Sequence, residues 1–183
     1  MRGKLVLATL LLVVAAVPAF AQNYQYCIGS GPYFTCEYLW DTPLSEGTTY
    51  WGYTSGSGTL SVSNPCAGGT STDAADLDPG HVMAQGVTMD DWPVVRMEFE
   101  IYKTSTSVTA NDSFTVEIYD YSTFAVEESH TFYANATSSL CIPVDFALDN
   151  TYANSTIQVR IKKSSSATAT MYVDNVTLWG RNN

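Results

Sequence analysis

The chain has 183 residues, a formal net charge of −10 at pH 7 and 45% hydrophobic residues. This acidity excludes nucleic-acid binding, which needs clustered Lys and Arg, and it also excludes attraction to anionic membranes. It favours solubility outside the cell and leaves carboxylates free to bind calcium.

The first 21 residues have the pattern of a cleavable signal peptide. Arg2 and Lys4 precede an uncharged apolar run, and Ala19-Phe20-Ala21 has the small-x-small pattern that a signal peptidase reads. The apolar run of about 13 residues is shorter than the roughly 20 that a membrane span needs. We therefore expect a secreted or cell-surface protein, with residues 1–21 removed and no insertion into a membrane.

Residues 22–183 predict one all-β domain. Apolar and polar residues alternate, as expected for strands with one buried and one solvated face. The segments that predict strands cover residues 59–63, 95–102, 114–119, 131–133, 140–144, 157–162 and 171–178. Turn clusters separate them and no stretch predicts an amphipathic helix, so we expect a β-sandwich or a barrel.

The chain contains four cysteines, Cys27, Cys36, Cys66 and Cys141. An even count in an exported chain indicates two disulfides, whose pairing the sequence leaves open. We favour Cys27–Cys36, which closes a local loop, and Cys66–Cys141, which joins distant segments. A metal site at these residues is disfavoured, because no Cys-x-x-Cys occurs and neither histidine lies near a cysteine in sequence.

The last strand pair carries a resemblance. Residues 155–180 read STIQVRIKKSSSATATMYVDNVTLWG: a polar–apolar strand, a Ser/Thr turn and a closing strand Tyr-Val-Asp-Asn-Val-Thr-Leu. This arrangement resembles the end of galactose-binding-like jelly-roll β-sandwiches, a group that includes many calcium-dependent carbohydrate-binding modules. Residues 57–62 and 145–152 are similar to other segments of these modules. The resemblance implies a single antiparallel jelly-roll β-sandwich, which the two predicted disulfides would cross-link.

The resemblance also implies a structural calcium ion. An aspartate of the last strand often ligates the ion in these modules, and the matching residue here is Asp174. The family's N-terminal Asn-x-x-Phe-Glu pattern is absent, so Glu37 is the nearest candidate for a second ligand.

The acidic loop that contains Asp73, Asp76 and Asp78 is a separate candidate calcium site. The alternative is a solvated loop that binds no ion.

Three aromatic residues beside turns are the candidate glycan contacts. Trp51 and Tyr53 lie next to a Gly/Ser turn, and Trp92 also lies next to a turn. Exposed Trp and Tyr rings can stack on sugar rings, whereas the alternative is that these rings close the ends of the sandwich. The leading hypothesis is therefore a secreted, non-catalytic module that binds a polysaccharide or a cell-surface glycan.

A glycan-active jelly-roll enzyme is the least favoured hypothesis. Glu98, Glu100 and Glu117 lie on polar strand faces, where the carboxylate pair of a glycanase could sit. However, no glutamate-centred strand motif and no Gly-x-Ser-x-Gly elbow occurs in the sequence.

A structural subunit of an extracellular filament, sheath or matrix is the second hypothesis. Residues 22–26 could form a short strand that is lent to a neighbouring copy of the same chain. Four Asn-x-Ser/Thr sequons are candidate glycosylation sites, at Asn111, Asn135, Asn154 and Asn175.

Overall fold

A computed structural model describes residues 26–30, 33–37, 39, 51–56, 58–63, 73–89, 94–150 and 152–181. The strands in this part of the chain are β1 (Tyr26–Ser30), β2 (Tyr33–Glu37), β3 (Gly52–Ser55), β4 (Gly58–Ser63), β5 (Asp73–Leu77), β6 (Val82–Thr88), β7 (Val94–Lys103), β8 (Ser113–Asp120), β9 (Ala125–Tyr133), β10 (Cys141–Ala147), β11 (Thr156–Lys163) and β12 (Met171–Arg181). A 3-10 helix covers Ala134–Ala136. Within these ranges, no helix is long and apolar enough to cross a membrane.

The strands form two antiparallel sheets. The five-stranded sheet has the order β3-β6-β11-β8-β9. In the seven-stranded sheet, β7 lies between β10 and β12. The other side of β12 pairs with β5 near the beginning of β12 and with β2 near its end, and β4 and β1 extend these two pairs. The predicted all-β sandwich is confirmed.

Alternating burial explains why these segments are strands. In β11, Ile157, Val159 and Ile161 are fully buried, whereas the intervening residues remain partly exposed. The strands β7 and β8 alternate in the same way. Burying a side chain of this size stabilises the fold by roughly 1.5–3 kcal/mol. The core between the sheets includes Met83, Val87, Met97, Phe99, Ile101, Phe114, Val116, Ile118, Met171, Val173 and Leu178.

A bulge interrupts the pairing of β12 with β7. Asp174 lies opposite Glu100 and Thr177 lies opposite Glu98, so β12 contains one residue more than β7 over this stretch. Asn175 has a φ of 52° within the bulge, a left-handed conformation that asparagine tolerates better than most residues. The bulge returns Thr177 to the outer face of the sheet, the face that Asp174 also occupies.

Buried polar residues hold the loops at one end of the sandwich. Asp112 is 1% exposed and accepts hydrogen bonds from the backbone N–H groups of Thr109, Thr168 and Ala169 at 2.7, 2.8 and 2.8 Å. Burial by itself raises the pKa of Asp112, but these bonds and the Thr109 hydroxyl outweigh it and lower the pKa to about 2. The carboxylate therefore stays ionised and joins two loop segments, residues 109–112 and 168–169.

The cysteines are only partly covered by the described ranges. Cys27 lies directly opposite Cys36 in the β1–β2 pair, and opposite positions of an antiparallel pair have a Cα separation that suits a disulfide. Cys141 begins β10, whereas Cys66 lies outside the described residues. The part of the chain that the structure describes contains no free cysteine. Both disulfide pairings stay predictions, as does the leader over residues 1–21, which also lies outside this part.

Candidate functional site

The outer face of the five-stranded sheet carries a group of aromatic and polar side chains in mutual contact. The guanidinium carbon of Arg160 lies 3.8 Å from the centroid of the Tyr119 ring. Arg160 Nε donates a hydrogen bond of 2.7 Å to Gln158 Oε1. The ring of Tyr121 meets that of Tyr119 edge-on, with centroids 5.4 Å apart. Tyr119, Tyr121, Gln158 and Arg160 together form the platform.

Strand register brings the platform together. The neighbouring strands β8 and β11 place Gln158 opposite Tyr119 and Arg160 opposite Glu117. Opposite residues of an antiparallel pair point to the same face, and diagonal neighbours lie within reach of long side chains, so Arg160 reaches the Tyr119 ring. Since Val159 between them is buried in the core, Gln158 and Arg160 must face outward.

The platform combines apolar ring surface with planar polar groups. The Tyr rings supply apolar area, and the guanidinium and amide groups supply donors in fixed planes. Glu117 adds a carboxylate to the same face, and the hydroxyl oxygens of Thr115 and Thr131 lie 3.0 Å apart nearby. Such a surface suits a ligand that has many hydroxyl groups and apolar ring faces.

A cleft of about 420 Å³ opens on the outer face of the seven-stranded sheet. Its lining includes Glu98 and Glu100 of β7 and Asp145 of β10. Glu98 Oε2 accepts a hydrogen bond of 2.9 Å from Trp179 Nε1, and Glu100 Oε2 accepts one of 3.1 Å from Asn175 Nδ2. The cleft is therefore acidic, and both glutamates are held by neighbouring side chains.

A third group joins β9 to the segment before β11. One candidate ligand atom from each of Glu128, His130 and Asp149 lies within 4.8 Å of the others, an arrangement that could hold a metal ion. Glu128 is 6% exposed, lies 2.5 Å from His130 Nε2 and accepts a hydrogen bond of 3.0 Å from Tyr152 Oη. Backbone N–H groups of Asp149 and Asn150 also donate to it.

Hydrogen bonding favours the ionised form of Glu128 in this third group. Burial by itself raises the pKa of Glu128, but the bonds from Asp149, His130, Tyr152 and Asn150 outweigh it, so the pKa lies below its usual value. The sequence pattern alone does not indicate a site at these residues. The Glu-x-His spacing within a strand could have shown that Glu128 and His130 share a face, but the approach of Asp149 depends on the fold.

Of the three predicted glycan contacts, Trp51 is the one whose side chain the structure describes, and its ring does not lie on the platform. Trp51 is 0% exposed and belongs to the core, so the expectation that its ring stands out from the sheet is wrong. A ring that neighbouring apolar side chains cover completely cannot stack on a sugar. Tyr53 pairs with Met83 in the β3–β6 register, and nothing is described of its side chain. Trp92 lies outside the described residues.

The structure separates Asp174 from Glu37. Asp174 is 1% exposed and lies opposite Glu100, whereas Glu37 lies opposite Trp179, five residues farther along β12. This offset corresponds to roughly 15 Å along the strand. Calcium ligands lie within about 2.6 Å of the ion, so one ion would not be shared by both carboxylates at this register.

The acidic segment around Asp76 is a strand rather than a loop. Residues 73–77 form β5, because Ala74, Ala75 and Leu77 are buried and β5 pairs with β4 and β12. The side chain of Asp76 lies 3.6 Å from Lys163 Nζ. Asp78 lies 3.6 Å from His81 Nδ1. The two carboxylates thus have separate partners.

Three of the four sequons lie on exposed turns or on the short helix. Asn111, Asn135 and Asn154 are all exposed. Asn175 is partly buried in the β12 bulge, where its side chain donates to Glu100. Glycosylation at each position stays a prediction, and the first three positions have the accessibility that it requires.

Comparisons with solved structures show the fold. A family 61 carbohydrate-binding module in complex with β-1,4-galactotriose has a TM-score of 0.51 at 14% identity, over 77% of this chain and 97% of that one. A family 16 carbohydrate-binding module has a TM-score of 0.52 at 16% identity, over 76% and 97%. An arabinose-bound α-L-arabinofuranosidase has a TM-score of 0.53 at 12% identity, over 79% of this chain but only 26% of the enzyme.

No family profile and no curated protein matches the chain. At the identities above, structural likeness shows the fold alone. The protein has the jelly-roll β-sandwich fold of carbohydrate-binding modules, as the resemblance in residues 155–180 implied.

Proposed function

We propose that this protein is a secreted, non-catalytic module that binds a polysaccharide or a cell-surface glycan through the platform. The observation that carries the proposal is the stack of Arg160 on Tyr119, with Gln158 and Tyr121 in contact with it. The stack presents planar donors beside ring surface at a fixed geometry, so little conformational entropy is lost when a ligand binds. The likeness to a module solved with β-1,4-galactotriose supports this proposal at the level of the fold.

Binding should depend on the tyrosines of the platform. We expect Tyr121→Ala and Tyr119→Ala each to weaken glycan binding by about tenfold, because an aromatic contact contributes roughly 1–1.5 kcal/mol. Affinity gel electrophoresis against a panel of soluble polysaccharides measures the effect as the change in migration.

The matched control is Tyr172→Ala. Tyr172 is also partly buried on an outer sheet face and also packs on another tyrosine, with its centroid 5.5 Å from that of Tyr102, but it lies on the other sheet. Binding that is lost in Tyr172→Ala and retained in Tyr119→Ala and Tyr121→Ala would move the site to the seven-stranded sheet. Absence of binding to every polysaccharide would refute the proposed function.

A structural calcium ion forms part of the proposal, with Asp174 as its ligand. Asp174 is buried on the outer face of β12, and the carboxylate of Glu100 comes from the opposite position of β7. Two like charges on neighbouring strands favour a cation between them. Neither Asp76 nor Asp78 is included, since Lys163 and His81 are the partners of these two residues.

The two other hypotheses receive less support from the geometry. For a filament subunit, residue 26 of the predicted donor strand already pairs with Glu37 of its own chain, and residues 22–25 lie outside the described part. For an enzyme, Glu98 and Glu100 line one cleft, but Glu117 lies on the other sheet and cannot act with them.

A further inference from the structure

Positive charge on this protein is scarce, and three of the five cations with described side chains are buried or paired with carboxylates. Of eight Lys and Arg residues, five have described side chains. Lys103 is fully buried, and its Nζ donates to the carbonyl oxygens of Ala134 and Thr137. Lys163 is 3% exposed and pairs with Asp76. These two cations are therefore committed to the fold.

A third cation is neutralised on the seven-stranded sheet. Arg96 pairs with Glu98, and its Nε lies 3.4 Å from Asp145 Oδ1. That outer face also carries Glu100 in the cleft, so its carboxylates outnumber its described cation. An anionic ligand would be repelled there.

Arg160 and Lys162 are the two remaining cations with described side chains, and both lie on the outer face of β11. They are two positions apart, roughly 7 Å along the strand. No ion pair with either side chain occurs among the described residues, and the Lys162 side chain is exposed. The nearest carboxylate by register is Glu117, opposite Arg160, whereas Lys162 lies opposite Thr115. The local charge is thus positive on an otherwise acidic protein.

The guanidinium of Arg160 is oriented for an outside partner. Its Nε donates a hydrogen bond to Gln158, and its central carbon lies over the Tyr119 ring, 3.8 Å from the ring centroid. Among the described residues, the two terminal nitrogens have no hydrogen-bond partner, and their four N–H donors match the two oxygens of a carboxylate. Because stacking already restricts the side chain, a bidentate bond here costs little further ordering.

We infer that the platform, together with Lys162, binds an anionic polysaccharide through the carboxylate groups of its uronic acid units. This inference rests on the proposed function, because it assigns a ligand class to the same site. The terminal nitrogens of Arg160 bind one carboxylate and Lys162 binds a charge on the next part of the chain. The tyrosines and Gln158 contact the sugar rings and hydroxyls between them.

The test compares two forms of one polymer, polygalacturonate and its highly methyl-esterified form. They share a backbone and differ in charge, so the comparison isolates the carboxylate. We expect the intact protein to bind the free acid at least tenfold more tightly at moderate salt, and to lose much of that difference as the salt concentration rises. A sulfated dextran serves as the probe for charge without carboxylate geometry.

The variants are Arg160→Gln, Arg160→Lys and Lys162→Gln. Each substitution to Gln should weaken binding of the free acid by about tenfold, the usual effect of losing one hydrogen bond to a charged group. Arg160→Lys should also weaken it, because lysine cannot make the bidentate bond. Arg96→Gln removes the same charge from the other sheet and should leave binding unchanged.

The outcomes separate this inference from the proposed function. Equal binding of both polymer forms, sensitive to Tyr121→Ala but not to Arg160→Gln, overturns the inference and leaves the proposed function standing. Equal binding of sulfated dextran, unchanged in Arg160→Lys, overturns carboxylate recognition in favour of diffuse charge attraction. Failure to bind any charged or neutral glycan overturns both.

Discussion

At the scale of single residues, Asp112 shows how one carboxylate can organise loops that are distant in sequence. It accepts backbone bonds from Thr109 on one side and from Thr168 and Ala169 on the other. Without these donors burial would disfavour the ionised carboxylate, so the hydrogen bonds are the cause of the lowered pKa of Asp112.

Replacing Asp112 should destabilise the protein mainly above pH 4. A pKa lowered from 3.8 to about 2 stabilises the fold while the group is ionised in both states, and this contribution is lost as the pH falls from about 4 to 2. Asp112→Asn should therefore lower the free energy of unfolding by about 2 kcal/mol at pH 7 and by much less near pH 2. Chemical denaturation at both pH values measures the difference.

Asp145→Asn is the matched control, since Asp145 is exposed on β10 and accepts no hydrogen bond from a described backbone N–H. A pH-independent loss in Asp112→Asn, or an equal loss in Asp145→Asn, would show that the charge of Asp112 does not stabilise the loops.

At the scale of elements, the β12 bulge decides what the last strand presents to its outer face. Without the extra residue, the side chains after Asn175 would exchange faces, and Thr177 would point into the core. The bulge keeps Asp174 beside Glu100 and Thr177 beside Glu98. Thr177 therefore lines the acidic cleft together with both glutamates.

Calcium should stabilise the protein through Asp174. Adding calcium after treatment with a chelator should raise the melting temperature of the intact protein, because an ion that binds only the folded state shifts the unfolding equilibrium. Asp174→Asn should abolish this response, and Asp78→Asn should retain it. An unchanged melting temperature with and without chelator in the intact protein would remove calcium from the proposal.

At the scale of the whole molecule, two sheets enclose one core and leave two outer faces of different character. The five-stranded face carries Arg160 and Lys162 with the tyrosines, and the seven-stranded face carries the acidic cleft. The net charge is −10, yet Arg160 and Lys162 give the five-stranded face a local positive charge. The other described cations are buried or paired with carboxylates.

Export should leave a mature chain that begins at Gln22 and has no free thiol. Expressed with its leader in a secreting host, the protein should have an intact mass that lacks residues 1–21, and its four cysteines should resist alkylation until they are reduced. Mass spectrometry with and without reductant measures both properties. Retention of the leader in exported protein would remove the signal peptide, and alkylation before reduction would remove the disulfides.

Much of the fold could be predicted from local pattern. Alternation over 95–102, 114–119 and 157–162 reports which side of a strand faces the core, and that property belongs to the strand itself. The resemblance of residues 155–180 added the jelly-roll arrangement. The expectation of an exposed Trp51 ring is wrong because proximity to a turn does not determine whether a ring points inward. The large apolar surface of tryptophan favours burial.

The sequence by itself determined the strand periodicity, the acidic composition and the motifs that predict a leader, because each depends on neighbouring residues or on counts. Only the tertiary structure decided which side chains meet. Arg160 stacks on Tyr119 through the register of β8 and β11, Asp174 and Glu37 are separated by the register of β12, and Lys163 reaches Asp76 from another strand. Such contacts join residues far apart in sequence, and their geometry depends on strand pairing that a linear pattern does not contain.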